Sequence, residues 1–329
     1  MDFNKSEVEG RSTHEKNQKI IFPIFLILCL AAGMIWQSVM TQIEKNKYAA
    51  IGDFVDVGTY QAHYYSKGSG DTAFILIAGS GIPCAYTDFY ALQKRLSAKG
   101  QTVSFDHAGS GWSSSTDSPR TIENMTNKLA VLIDTVAPNK PIVIICHSLG
   151  SLEAIQYTQM NPEKVKGIIF LDCGSPEFYS TDSELLAKII NRGTAFLRTI
   201  GLNRFMGEFG WFLPAYGENS RNEHLPETVK DIDKAMFYRF AGNADSMNTI
   251  NLINENAATV LNGPLLGELP ILVLSSDGGD DWDEVQIQLA SWSEDSEHMM
   301  IEKSEHYLYW SNYNQVSDYI KSFIERIGR

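Results

Sequence analysis

Ser148 stands in Cys146-His-Ser-Leu-Gly150, between an apolar run (Ile142 to Cys146) and Leu152, Ala154, Ile155 and Tyr157 at helical spacing. A buried strand that turns sharply into a helix with a serine at the corner holds that hydroxyl out as a nucleophile. Such a turn needs small neighbours. Gly150 and Ser151 supply them on one side, and Cys146 stands on the other where glycine is usual. A serine attacks only when a base takes its proton. His306, after the last strand-like run, is the expected base. Its rivals are worse placed: His147 adjoins the nucleophile but points away from it, His107 lies in a glycine-rich loop, and His63 and His298 fall within strands. The imidazole needs a carboxylate to fix its tautomer and to stabilise its charged form. Asp172, closing the run Gly167 to Leu171, is favoured. Asp280 is the alternative, in an acidic loop with Asp277 and Asp281 whose acids also suit a helix N-terminus. The backbone N–H groups of Leu149 and of Ser80, in Ala78-Gly-Ser-Gly81, are the expected oxyanion donors.

The elements that must position these groups follow in order. Phe54 to Gly58 and Tyr60 to Tyr65 alternate around a turn, predicting a hairpin. Strands are predicted at 72–78, 102–105, 142–146, 165–171, 271–274 and 298–301, with amphipathic helices between them and a closing helix through Val316, Ile320, Phe323, Ile324 and Ile327. Strands alternating with helices imply a mostly parallel sheet covered on both faces, whose site lies at the carboxyl ends of the strands. Ser80, Asp106, Ser148, Asp172, Asp277, Asp280 and His306 all fall at such ends. A helical insert is expected from about 177 to 267. Phe209, Trp211-Phe-Leu-Pro214, Met236-Phe-Tyr238 and Phe240 would give it an apolar roof over the site.

Ahead of that domain, which begins near Tyr48, Ile20 to Trp36 carry no charge and Gln37 to Met40 extend the run, about the length of a bilayer core. The expected organisation is a cytoplasmic tail over 1–19, a transmembrane helix over 20–40 and a catalytic domain over 48–329. A cleaved signal peptide is the rival, disfavoured because no A-x-A site follows the run. Lys5, Arg11, Lys16 and Lys19 precede it and only Lys45 and Lys47 follow closely, which places the N-terminus in the cytoplasm and the domain outside.

A net charge of −13 argues against a nucleic-acid partner. Cys29, Cys84, Cys146 and Cys173 match no zinc spacing; buried free thiols are expected, with a Cys84–Cys173 disulfide the other option. Gly79-Ser-Gly81 is a partial dinucleotide fingerprint with Asp106 as its acid, but its third glycine is missing and it does not follow the first strand. Asp277 to Glu284 lacks the spacing of a calcium loop. No cofactor or metal is expected.

Together the motifs resemble the α/β-hydrolase superfamily over residues about 50–328. They are most similar to a bacterial, membrane-anchored serine-esterase-like group. The residues that carry the resemblance are Val55-Asp-Val-Gly58, Asp106-His-Ala-Gly-Ser-Gly-Trp-Ser113, Cys146-His-Ser-Leu-Gly150, Leu171-Asp-Cys-Gly-Ser-Pro-Glu177 and Ser304-Glu-His306. Departures from the group's pattern are Cys146 and Glu305 for glycines, Ala78 for a histidine and His107 for an arginine. The resemblance implies an α/β fold with a helical cap, Ser148 as nucleophile, His306 as base, and Ser80 and Leu149 as oxyanion donors. Some haloalkane dehalogenases and pancreatic lipases place their acid where Asp172 stands, and a serine nucleophile points to acyl transfer rather than halide displacement. The expected substrate is a small hydrophobic ester or acyl compound. An amidase or aminopeptidase of the same fold, or a non-catalytic relative, is the alternative; the loop Gly79-Ser-Gly-Ile82 lacks the His-Gly-Gly-Pro-Gly of proline iminopeptidases.

Overall fold

The computed structural model describes residues 3–210, 221 and 223–328, with residues 3–20 as backbone only. Strands β1 (Asp53–Asp56), β2 (Gln61–Lys67), β3 (Ala73–Ile77), β4 (Gln101–Phe105), β5 (Ile142–His147), β6 (Val165–Leu171), β7 (Ile271–Ser276) and β8 (Ser296–Ile301) form one sheet. Their order is β1-β2-β4-β3-β5-β6-β7-β8. The β1–β2 and β2–β4 pairs are antiparallel, and every pair from β4 to β8 is parallel. The expected hairpin is therefore the antiparallel edge of a mostly parallel sheet, and each strand lies within two residues of its expected bounds.

The apolar runs are buried on both faces because alternate residues serve opposite cores. Ile75, Ile144, Ile168 and Val273 point to one, with Leu129, Leu132, Leu152 and Ile155 of the helices Ile122–Val136 and Gly150–Met160. Leu76, Ile145, Ile169 and Leu274 point to the other, with Leu92, Leu96, Val316, Ile320 and Phe323 of Tyr90–Leu96 and Tyr313–Ile327. All six residues of β5 are buried. That central strand carries the serine turn, so the turn stands on the least deformable part of the sheet.

Between β6 and β7 the described chain is helical where the insert was expected: Pro176–Thr181, Glu184–Thr199, Leu202–Glu208, Glu227–Phe240, Ala244–Ile250 and Ile253–Leu261. One helix, Phe3–Lys47, precedes the sheet. Its part Ile21–Lys47 is long and apolar enough to cross a membrane, with mean hydropathy 2.0 and little of it buried.

Candidate active site

Ser148 has φ 53°, a left-handed conformation that a residue with a side chain adopts only when its surroundings impose it. Those surroundings are specific. A Cβ on Gly79 would come within 2.9 Å of Ser148 Cβ and of His147 Nδ1, and one on Gly150 within 3.1 Å of the Ile77 carbonyl oxygen. The turn is thus wedged against the end of β3, which explains the small residues flanking it. Cys146 fits the remaining place as a fully buried thiol. Its Sγ lies 3.8 Å from that of Cys173, and all four cysteines are free, so the Cys84–Cys173 pairing is not formed.

Of the two candidate carboxylates, it is Asp172 that lies against His306. His306 Nδ1 lies 2.7 Å from Asp172 Oδ2, whereas Asp280 begins the helix Asp280–Ala290 with Asp281 and Asp283 in its first turn, where the helix dipole favours acids. Asp172 also accepts hydrogen bonds from the Ser276 backbone N–H (2.6 Å), the Ser276 hydroxyl (2.9 Å) and the Trp282 indole N–H (2.8 Å). Burial alone would raise its pKa; the hydrogen bonds from His306, Ser276 and Trp282 outweigh burial and hold the carboxyl below its ordinary range. An ionised Asp172 accepts from Nδ1–H and leaves Nε2 of His306 as the basic nitrogen. Asp172 is itself left-handed at φ 49°. The two strained turns are tied to their neighbours by Ser148 N–H to Leu171 O (3.3 Å) and Asp172 N–H to Leu274 O (2.8 Å).

Two more residues pack at this corner, of which only His147 was marked by the sequence. His147 is buried, and its Nε2 lies 3.2 Å from the His306 carbonyl oxygen, with the two rings 4.6 Å apart. Burial, then the neighbouring His306, pull its pKa to about 3, so it is neutral and donates to that carbonyl. It points away from the nucleophile, as expected, but toward the backbone of the base. Tyr179 is the second: it lines the cavity with Ser148, and its hydroxyl accepts from Gly174 N–H at 3.3 Å. Burial pushes its phenol pKa up, so it stays protonated.

A cavity of about 420 Å³ opens over this corner, lined by Ser80, Ser148, Leu149 and Tyr179 below and by Ala187, Phe237 and Ile250 among the cap residues above. His306 directly precedes Tyr307, which lines the cavity, and has 42% of its side chain exposed. Ser80 and Leu149, the expected oxyanion donors, line the same cavity as Ser148. The roof differs in part from expectation. Phe237 faces the cavity, but Met236 is buried with Cys84, Tyr86 and Ile232, and Tyr238 lies under the Arg204 guanidinium. Successive helical residues point about 100° apart, so three in a row cannot share one face. Phe209 is largely exposed, Phe240 lines an adjoining cavity of about 70 Å³ that shares Ser80 and Leu149 with this one, and Trp211 to Pro214 lie outside the described residues.

Asp106 serves the backbone rather than a ribose. It accepts from Ala85 N–H (2.7 Å) and Trp112 N–H (3.1 Å) and pairs with His63 Nδ1 (2.8 Å). Gly111 packs against its carboxylate so closely that a Cβ there would overlap it. The Asp106–Ser113 motif is therefore a buried clamp between β2 and β4, which leaves Gly79-Ser-Gly81 facing the serine turn.

Sequence and fold comparisons place the chain among known folds. The uncharacterized protein YbdG of Bacillus subtilis is 27% identical over 265 residues, which cover 78% of this chain and 80% of that protein. A thermophilic esterase from Thermogutta terrifontis superposes with TM-score 0.62 at 19% identity, over 84% of this chain and 99% of the esterase. The epoxide hydrolase VrEH1 from Vigna radiata does so with TM-score 0.66 at 18% identity, over 84% and 98%. The family model described as alpha/beta hydrolase fold matches residues 75–313, most of the sheet and its helical insert, and the chain belongs to that family.

Proposed function

We propose that the protein is a serine hydrolase that cleaves a carboxylic ester through an acyl-enzyme. The observation that carries this is the 2.7 Å pairing of His306 Nδ1 with an ionised, triply hydrogen-bonded Asp172, beside a left-handed Ser148 that opens into a cavity. In this reading Ser148 Oγ attacks the ester carbonyl carbon while its proton passes to His306 Nε2. The oxyanion is met by the N–H groups of Leu149 and Ser80. Collapse expels the alcohol, which takes the proton from His306. Water activated by the same nitrogen then releases the acid. The Thermogutta esterase, similar over nearly its whole length, supports an ester as substrate, and the apolar share of the cavity wall supports a hydrophobic one.

A fluorophosphonate probe tests the mechanism. The wild type is expected to label and to lose label in a Ser148→Ala protein. A wild type that never labels, or a Ser148→Ala protein that still does, overturns it. Matched p-nitrophenyl esters and p-nitroanilides separate an esterase from an amidase or aminopeptidase.

A further inference from the structure

The N-terminal helix is built into the cap. Leu30, Gly33, Gln37, Met40, Thr41 and Glu44 are buried or half-buried at three- and four-residue spacing, whereas residues 21–29 are exposed. Gly33 meets the turn between Glu184–Thr199 and Leu202–Glu208. A Cβ on Gly33 would collide with the Ile200 carbonyl oxygen, and one on Gly201 would come within 2.6 Å of the Gly33 oxygen. Arg204, 1% exposed, donates to Gln37 Oε1 (2.9 Å) and to the Glu44 carboxylate (2.8 Å), and Gln37 donates to the Tyr238 carbonyl oxygen (2.6 Å). Removing the helix would strip Arg204 of its carboxylate partner and uncover the cap surface packed on Gly33 and Gln37, so these contacts favour a retained element.

This docking sets the depth of the cap. With the uncharged run from Ile20 to Trp36 in a bilayer core, Gly33 lies about 6 Å deeper than Gln37, at 1.5 Å per residue. The Ile200–Gly201 turn it touches lies at that depth too. Trp36, 6.0 Å from the Arg204 guanidinium, marks the interface, where tryptophan is favoured. On either side of the turn, Leu185, Leu186, Ile189, Phe196 and Phe205 are 44–66% exposed; Arg192 is exposed on the same stripe and has the reach to carry its guanidinium up to the headgroups. The opposite side of the same helix, through Ala187, Asn191 and Thr194, lines the Ser148 cavity. Ile190 both lines the cavity and is largely exposed, so it stands at the rim.

We infer that the outward face of Glu184–Thr199, with Phe205, is immersed among lipid acyl chains of the leaflet on the domain's side, and that the cavity takes a long-chain ester from that lipid phase past Ile190. The delivery rests on the ester-hydrolase reading above; the immersion does not. A patch of this kind, on an element docked to a helix long and apolar enough to span a bilayer, suits lipid rather than a soluble partner.

Full-length protein in phosphatidylcholine vesicles tests both parts. In a Cys29→Ser background, an environment-sensitive fluorophore at Leu186→Cys is expected to be quenched by acyl-chain nitroxide lipids. The same label at Leu265→Cys, in the exposed loop before β7 at the far end of the sheet, is expected to be spared. Equal quenching at both positions overturns the immersion. A Leu185→Lys, Leu186→Lys, Ile189→Lys protein is expected to lose about tenfold in hydrolysis of vesicle-dissolved p-nitrophenyl palmitate, since charge in the bilayer is costly. Its hydrolysis of soluble p-nitrophenyl acetate should stay within about twofold, because these residues lie outside the cavity. An unchanged palmitate rate overturns the delivery. A wild type that hydrolyses neither ester sinks the ester reading and the delivery with it, while the quenching contrast still decides the immersion.

Discussion

The floor and the wall of the cavity are made in opposite ways. The floor is β5, wholly buried, ending in Ser148, and its neighbour β6, ending in Asp172; both end residues are left-handed without being glycine. Each such residue costs on the order of 1–3 kcal/mol and persists only where packing leaves no alternative. Here Gly79, Gly150 and the inter-strand hydrogen bonds supply that constraint. The wall, Glu184–Thr199, has one buried residue, Asn191, and turns its leucines and isoleucines outward. Rigidity in the floor holds reacting groups in place. The wall's composition instead answers to what lies outside it. A substitution in the floor should therefore act on rate through geometry, and one at the seam with the cap should act on stability.

The largest contrast is expected between two acids. Asp172→Asn should lower kcat by about 10⁴-fold, because His306 loses the partner that fixes its tautomer, while Asp280→Asn stays within about twofold. Steady-state ester hydrolysis checks both, and comparable rates in the two proteins would break the distinction between floor and helix cap. Gly79→Ala should cost about 10²-fold in kcat and about 1–3 kcal/mol of stability, since the added methyl must displace the serine turn. Chemical denaturation alongside kinetics reads this, and loss of stability without loss of rate would show that the wedge does not set the serine's position. Tyr179→Phe should lower kcat by less than about tenfold with the fold intact, since it removes one hydroxyl that holds Gly174 N–H at the edge of the cavity.

The smallest effect lies at the seam, where buried Asp88 accepts from Tyr309 (2.8 Å) and faces Arg221, itself paired with Asp233 of the cap helix Glu227–Phe240. Burial raises the Asp88 pKa to about 7 against the pull of Arg221 and Tyr309. Between the ordinary carboxyl value and about 7 the folded protein keeps a proton that the unfolded chain releases. Stability from this group is thus fully present at low pH, falls as pH rises through that window and levels off above it. Asp88→Asn should flatten this slope in denaturation midpoints measured from about pH 5 to about pH 8, and an unchanged slope would assign it to another group.

The strands, their parallel order and the gathering of Ser148, Asp172 and His306 at one end of the sheet were legible in the chain. Buried parallel strands are continuous apolar runs, and the turn after β5 admits only small neighbours; both are local constraints written in adjacent residues. The choice of acid was not legible locally, because Asp172 follows a strand, Asp280 opens a helix and either place suits a carboxylate; the partners that set Asp172 apart, Ser276 and Trp282, lie more than a hundred positions away. Nor did the apolar periodicity show that Phe237 faces the cavity while Met236 packs away from it. The docking of Gly33 and Gln37 onto the cap had no local sign at all, since a glycine and a glutamine in an apolar run look alike whether they face lipid or protein. Periodicity records how much of a side chain is buried; which partner buries it is settled only when distant elements pack.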